Sequence, residues 1–160
     1  MHLLLPQARA VRAIAFNKSE EANWGVGWHQ DRVITVANRT DMSGFANWSK
    51  KQGQWHCEPP LSVLDKMLFV RLHLDPSGPD AGPMEIALGS HRLGIVPSNE
   101  ADARAANFPR EICLGNRGDI LIMHMMLLHR SMPAARPSSR RALRVDFSNA
   151  PLPPPLRWTA

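Results

Sequence analysis

The chain has 160 residues, 44% of them hydrophobic, which suits one globular domain with a real core. No apolar run is long enough to span a bilayer, Leu3-Leu4-Leu5 is cut short by Pro6, and two cysteines, Cys57 and Cys113, provide no disulfide framework, so a cytoplasmic, reducing setting is expected. The net charge of +5 is uneven: five arginines (Arg130, Arg136, Arg140, Arg141, Arg144) fall in one stretch without an acid. Such a run is a solvated face or an anion site for carboxylate or phosphate. No basic helix, zinc knuckle or basic-aromatic motif accompanies it, which argues against nucleic acid as a partner.

Strand patterns dominate the chain. Residues 11–16 are short and mostly apolar. Residues 26–37 read as one strand carrying Trp28-His29-Gln30-Asp31. Residues 67–74, 84–88, 111–114, 119–123 and 127–131 follow, and the last strand is expected over 140–148. Its alternation puts Leu143, Val145 and Phe147 on one face and Arg140, Ala142, Arg144 and Asp146 on the other. Gly/Pro-rich turns over 75–83, 89–90, 115–118 and 133–139 separate the strands. Two short helices are expected, at 60–66 and at 98–107, the second opened by a Ser98 cap. The proline-rich tail at 151–155 is expected to run extended, with Trp158 as its anchor. No repeat or linker divides the chain, so residues 1–160 form a single domain. Its expected class is all-β dominated, a sandwich or barrel of the jelly-roll kind.

In a strand, His29 and Asp31 share a face and Gln30 takes the other, with about 6.6 Å of chain between the pair. An imidazole and a carboxylate so placed can meet on one metal ion, and a second histidine completes the 2-His-1-carboxylate face of non-haem Fe(II) sites. His-x-Asp recurs by chance, so its meaning depends on the third ligand. His2, His56, His73, His91 and His124 each have a bland account as exposed or hydrogen-bonded histidines. His129 is distinguished by its company: Ser131 shares its face two residues on, and Arg140 follows 11 residues later on the polar face of the last strand. A hydroxyl and a guanidinium beside a metal form a grip for a carboxylate. Met123, Met125 and Met126 read as core packing.

These segments together resemble the phytanoyl-CoA dioxygenase family of Fe(II)- and 2-oxoglutarate-dependent oxygenases, from about Val11 to Ser148. The carriers are residues 16–24 leading to Trp28-His29-Gln30-Asp31, Arg71-Leu72-His73-Leu74-Asp75, the Gly82-Pro83-Met84 to Gly89-Ser90-His91-Arg92-Leu93-Gly94 stretch, and Gly118-Asp119-Ile120 leading to His129-x-Ser131 and Arg140. The resemblance implies a double-stranded β-helix, cupin-like. It implies His29, Asp31 and His129 as iron ligands, and Arg140 as the partner of the far carboxylate of 2-oxoglutarate, with Ser131 assisting. Trp48 falls near the family's aromatic beside the co-substrate. Arg144 rivals Arg140 for the clamp, while Arg141 is expected to point outward; the bland account makes all three surface arginines of an edge strand. His91 belongs to a segment that is usually a structural turn in the family, and His124 replaces His129 only under a different register.

The implied activity is hydroxylation of an aliphatic C–H of a small molecule, consuming O₂ and 2-oxoglutarate and releasing succinate and CO₂. Asp31 occupies the position a halide would need, which favours hydroxylation over halogenation. Pro59-Pro60-Leu61 and a loop from Trp48 to His56 are expected to overhang the pocket, with His56, Trp55 and Arg71 as candidate substrate contacts. The arginine excess points to an anionic substrate. Only 28 residues precede His29, fewer than the family's largely helical N-terminal region. The apolar face of Leu143, Val145 and Phe147 would then need another subunit, such as a second copy of the chain, to cover it. Two alternatives stay open: a truncated, non-catalytic jelly-roll that binds metal or ligand, and another cupin-like metalloenzyme that does not use 2-oxoglutarate.

Overall fold

The computed structural model describes residues 3–136 and 140–159. Eleven strands follow in order: β1 (Arg9–Lys18), β2 (Val26–His29), β3 (Ile34–Val36), β4 (Ala46–Lys51), β5 (Gln54–Glu58), β6 (Met67–His73), β7 (Met84–Ala87), β8 (Arg110–Cys113), β9 (Ile120–His124), β10 (His129–Ser131) and β11 (Arg140–Ser148). Short helices α1 (Leu61–Leu64) and α2 (Ala101–Ala105) lie between them. One sheet has the order β1-β11-β6-β9 and a second the order β2-β10-β7-β8; β3, β5 and β4 make a third. All the pairings are antiparallel. Side chains of both four-stranded sheets, among them Phe69, Met123, Met84 and Ile86, share one core. This is the jelly-roll, double-stranded β-helix arrangement.

The alternation of β6 and β11 sets the inner face of the first sheet. Met67, Phe69, Arg71 and His73 are buried on β6, and Arg140, Ala142, Arg144, Asp146 and Ser148 on β11. Register places Lys18 of β1 opposite Arg140, and Ile14, Arg144 and Arg71 in one row across three strands. Because β11 lies between β1 and β6, its arginines are not on an edge strand. The opposite face carries rows such as Leu143, Leu72 and Ile120, and Val145, Val70 and Ile122. Of these, Leu143, Ile120 and Ile122 are exposed.

Several expected elements differ. The single strand expected over 26–37 is broken into β2 and β3, which belong to different sheets, and Asp31 lies in the irregular connection. The expected loop from Trp48 to His56 is the β4–β5 hairpin. Its turn uses Gln52 and Gly53 at φ of 50° and 80°, both positive as a two-residue hairpin turn requires. Ser98 does not cap α2: it opens a short 3₁₀ turn, with Pro97 before it and no side-chain cap. The strand around His129 starts two residues later than expected. The turn expected over 133–139 ends at residues outside the described ones, as does His2.

The tail is anchored by Trp158, which is buried, donates its indole N–H to Ala150 O at 3.2 Å and bridges to Val36. Gly89 opens the 90–93 turn at φ 86°. Within that turn, buried Ser90 accepts the Leu128 N–H at 2.9 Å, and His91 stacks on His124 at 5.1 Å. His91 is thus a turn residue packed away from His29, Asp31 and His129.

Candidate metal centre

β2 and β10 pair antiparallel with His29 directly opposite His129. Their rings lie 4.3 Å apart between centroids. In each histidine Nδ1 bonds the backbone carbonyl two residues earlier, Gly27 O at 2.8 Å and Leu127 O at 2.9 Å. That fixes ring orientation and frees Nε2, as supporting partners of metal-bound imidazoles do. His129 Nε2 lies 3.2 Å from Asp31 Oδ2. One donor atom from each of His29, Asp31 and His129 falls within 4.8 Å of the others. Two imidazoles and a carboxylate converging this way suit a divalent first-row ion such as Fe(II).

Asp31 is not oriented by a strand, because β2 ends at His29. Gln30 supplies the restraint. Its side-chain amide donates to Gly94 O and Met126 O, both at 2.8 Å, and its Oε1 accepts the Val96 N–H at 2.8 Å. The residue between the two candidate ligands therefore pins the break in the strand to two other loops.

The electrostatics of His29 and Asp31 favour the protonation states that a metal ligand needs. Burial, helped by His129, lowers the His29 pKa and so favours the neutral imidazole. Burial alone would raise the Asp31 carboxyl. The hydrogen bond from His129 and the charge of Arg144 outweigh it and hold Asp31 well below the usual carboxylate range. Arg144, 5% exposed, donates to Asp31 Oδ2 and to Asp146 Oδ1, with its guanidinium 4.2 Å from the centre of the Phe69 ring.

Next to this cluster lies a cavity of about 90 Å³ lined by Phe16, Trp24, His29, Asp31, Arg71, His129, Ser131 and Arg144, among others. Further cations stand around it: Arg71 is among its lining residues, while Arg140 and Lys18, close to Arg71, lie outside the lining. Arg140 is 2% exposed and its Nε has no partner; Arg71 is 5% exposed and its Nε and Nη2 have none. Lys18 donates to Ser131 Oγ at 3.3 Å and to Met132 O at 2.6 Å, and sits 4.6 Å from the Trp24 ring centre. Burial, then Arg140 and Arg71, lowers Lys18 to about 8; burial, then Arg140 and Arg144, lowers Arg71 to about 10. Buried guanidinium N–H groups without acceptors are costly, and an anionic ligand would satisfy them. Gly82 allows the close approach here: at φ 62°, a Cβ would stand 2.8 Å from Lys18 Nζ.

The other sequence candidates are dispersed. Trp48 and Trp55 pack edge-to-face at 6.5 Å on the β4–β5 hairpin and do not line this cavity. His56, buried, bonds Gln54 O through Nδ1 and lines a different cleft of about 720 Å³ with Arg12, Thr35 and Lys51. The hairpin carries these three residues away from the centre, and Phe16 and Trp24 are the aromatics at the cavity. Of the arginine run, Arg141 is exposed and pairs with Asp75, and Arg130 pairs with Glu85 beside Trp28. Arg144 is buried in the cavity lining, and Arg140 is buried outside that lining. Gln30 and Lys18 are the contributors that sequence reasoning missed. The one available signal for Lys18 was its strand parity with Phe16.

This geometry is that of a jelly-roll protein with a candidate 2-His-1-carboxylate centre beside a cavity that Arg71 and Arg144 help line. The sequence profile of the family described as Phytanoyl-CoA dioxygenase (PhyH) matches residues 2–142. The chain belongs to that family, whose cofactors are Fe(II) and 2-oxoglutarate. No curated protein matches the chain. Among solved structures it is similar to EvdMO1 (20% identity, TM-score 0.64, covering 94% of this chain and 30% of that one). It is also similar to SnoK, a non-haem α-ketoglutarate-dependent carbocyclase from nogalamycin biosynthesis (16%, 0.61, 89% and 50%). A third is HygX from Streptomyces hygroscopicus, solved with nickel and 2-oxoglutarate (16%, 0.54, 88% and 57%). The chain thus spans between 30% and 57% of the length of these three. Among the described residues no helix is long and apolar enough to cross a membrane.

Proposed function

We propose that the chain is an Fe(II)- and 2-oxoglutarate-dependent dioxygenase that hydroxylates an aliphatic C–H of a small-molecule substrate. His29, Asp31 and His129 hold the ion. Arg140 takes the far carboxylate of 2-oxoglutarate, with Ser131, Lys18 and Arg71 around it. When bound, Fe(II) with 2-oxoglutarate and O₂ supplies an oxidative decarboxylation, yielding succinate and CO₂, coupled to oxygen insertion into a C–H bond. The protein's part is to orient the three donors, neutralise the co-substrate's charge and keep the cavity dry. Phe16, Trp24 and Met84 form the apolar wall that limits water.

The carrying observation is the coincidence of two features at one cavity: two imidazoles and a carboxylate whose donor atoms converge, and the buried Arg71 guanidinium with N–H groups that lack acceptors. Another metalloenzyme of this fold has no need of the second feature. The surplus cation, Arg71, favours an anionic substrate. The exposed apolar rows outside β11, β6 and β9 support burial against a second copy.

The test is succinate release that requires both Fe(II) and 2-oxoglutarate, measured with and without candidate substrates, with Arg140→Ala as control. Iron-dependent succinate formation that Arg140→Ala abolishes supports the reading. Its absence in the wild type favours the alternative, a non-catalytic metal- or ligand-binding jelly-roll.

A further inference from the structure

β1 is an edge strand of the first sheet, with β11 as its one neighbour there. The Leu74 amide donates to Arg141 O at 3.0 Å, so the odd-numbered residues of β11 turn their backbone groups toward β6 and the even-numbered ones toward β1. Arg144 thus exchanges backbone bonds with Ile14, its partner in register, while Ala13, Ala15 and Asn17 turn their N–H and C=O groups away from the sheet. Those groups have no hydrogen-bond partner among the described residues. Thr35 covers only the start of the edge, its Oγ1 donating to Val11 O at 3.2 Å. From Ala13 to Asn17 neither proline nor a bulge blunts the edge, and Ala13, Ala15 and Asn17 are exposed. The edge opens on the cleft of about 720 Å³, where Ala13, Ile14 and Ala15 line one side and Lys51, Gln54 and His56 of the β4–β5 hairpin the other. The lining contains no carboxylate. Its Arg12 is engaged with Asp146 at 4.0 Å and with Val33 O at 3.3 Å, whereas Lys51 is exposed and has no ion-pair partner among the described residues.

We infer that this cleft docks an extended, acidic peptide segment of another protein, which joins the first sheet as a fifth strand against β1. The inference is independent of the oxygenase reading. Ala13 and Ala15 present their backbone groups two residues apart, roughly 6.8 Å, and a peptide in β conformation repeats its own groups at that spacing. Main-chain bonds of this kind supply affinity, and the side chains on either side supply specificity. Here the specificity is one of charge, because acidic side chains turned toward the hairpin meet the unpaired Lys51 and no carboxylate. A second copy of the chain suits the edge less well. β1 carries Arg9, Arg12 and Lys18 and no acid, so pairing β1 with its own copy sets cations against cations in a chain of net charge +5.

The experiment is fluorescence anisotropy of the full chain with a fluorescein-labelled peptide of about seven residues that alternates threonine and glutamate. Saturable binding is expected. Ala13→Pro removes one outward N–H where an edge strand tolerates proline, and should raise the Kd about tenfold or more. Lys51→Glu, beside the exposed hairpin turn, should raise it about fivefold or more. The same peptide with every amide methylated keeps its charge, loses its donors and should not bind, which decides the matter even where Ala13→Pro fails to fold. No saturable binding to the wild type up to about 1 mM would overturn the inference. A methylated peptide that binds within about threefold of its parent would leave charge alone as the cause and overturn it too. A lysine-for-glutamate peptide that binds as well as the parent, or Lys51→Glu with an unchanged Kd, would remove the acidic requirement and sink the assignment of the partner. A concentration-dependent dimer of the peptide-free chain in analytical ultracentrifugation, dispersed by Ala13→Pro, would give the edge to a second copy instead. None of these outcomes touches the oxygenase reading, which succinate release tests separately.

Discussion

Replacing Gln30 by methionine keeps the length of the side chain and removes all three of its hydrogen bonds. Gly94 O, Met126 O and Val96 N–H then lose partners at 2.8 Å each, at a residue only 9% exposed. An unpartnered buried group costs about 1–3 kcal/mol, so three at the low end cost about 3 kcal/mol. For a chain of this length that lowers Tm by roughly 6–12 °C, at about 2–4 °C per kcal/mol. The same bonds fix where Asp31 points. Metal affinity should therefore fall in the folded variant, by less than the roughly 10–100-fold lost with a direct partner of a metal ligand, because Gln30 bonds only backbone groups. Thermal melting of the metal-free protein and Co(II) titration below the melting range measure the two effects separately. Thr35→Val, which removes a buried bond to Val11 O elsewhere, is the control expected to lower Tm alone. A Gln30→Met protein that melts lower yet binds Co(II) like wild type would refute the claim that Gln30 orients the site.

Asp31→Ala should abolish iron-dependent succinate release; retained turnover would mean a different metal face. Chelating the metal from the wild type should lower Tm, since an ion present at 100 times its Kd stabilises by about 2.7 kcal/mol, and Asp31→Ala should remove that difference. Arg140→Lys should weaken 2-oxoglutarate binding more than Co(II) binding in parallel titrations, whereas equal loss of both would indicate damage to the sheet. Lys18 provides a pH signature. Its pKa is lowered from 10.5 to about 8 by burial and by Arg140 and Arg71, so between those values the unfolded chain binds more protons than the folded one. Stability of the ligand-free protein should therefore rise as pH increases from about 8 toward 10.5, and Lys18→Met should flatten that rise in urea titrations. Over the same window 2-oxoglutarate binding should weaken as Lys18 loses its charge, a trend the Lys18→Met variant should lack.

What was legible in the sequence was local. Period-two alternation put Arg140, Arg144 and Asp146 on one face of β11, opposite Leu143, Val145 and Phe147, because strand geometry leaves only two faces. His-x-Asp and the Gly89-Ser90 turn were visible as short patterns, although His-x-Asp recurs by chance and gained meaning only from the company of His129. The β4–β5 hairpin had a local signal too, Gln52-Gly53 between strand-forming residues, in place of the loop expected there. Non-local pairing decided the rest. Only the register of β1 on β11 sets Lys18 beside Arg140, and only the opposition of β2 and β10 brings His29 to His129. The break after His29 was illegible because its compensation comes from loops 64 and 96 residues further on, through the Gln30 side chain. The roles of Arg140 and Arg144 likewise separate only in three dimensions. Both are buried arginines of one strand face, and what distinguishes them is that carboxylates from Asp31 and Asp146 reach one and not the other.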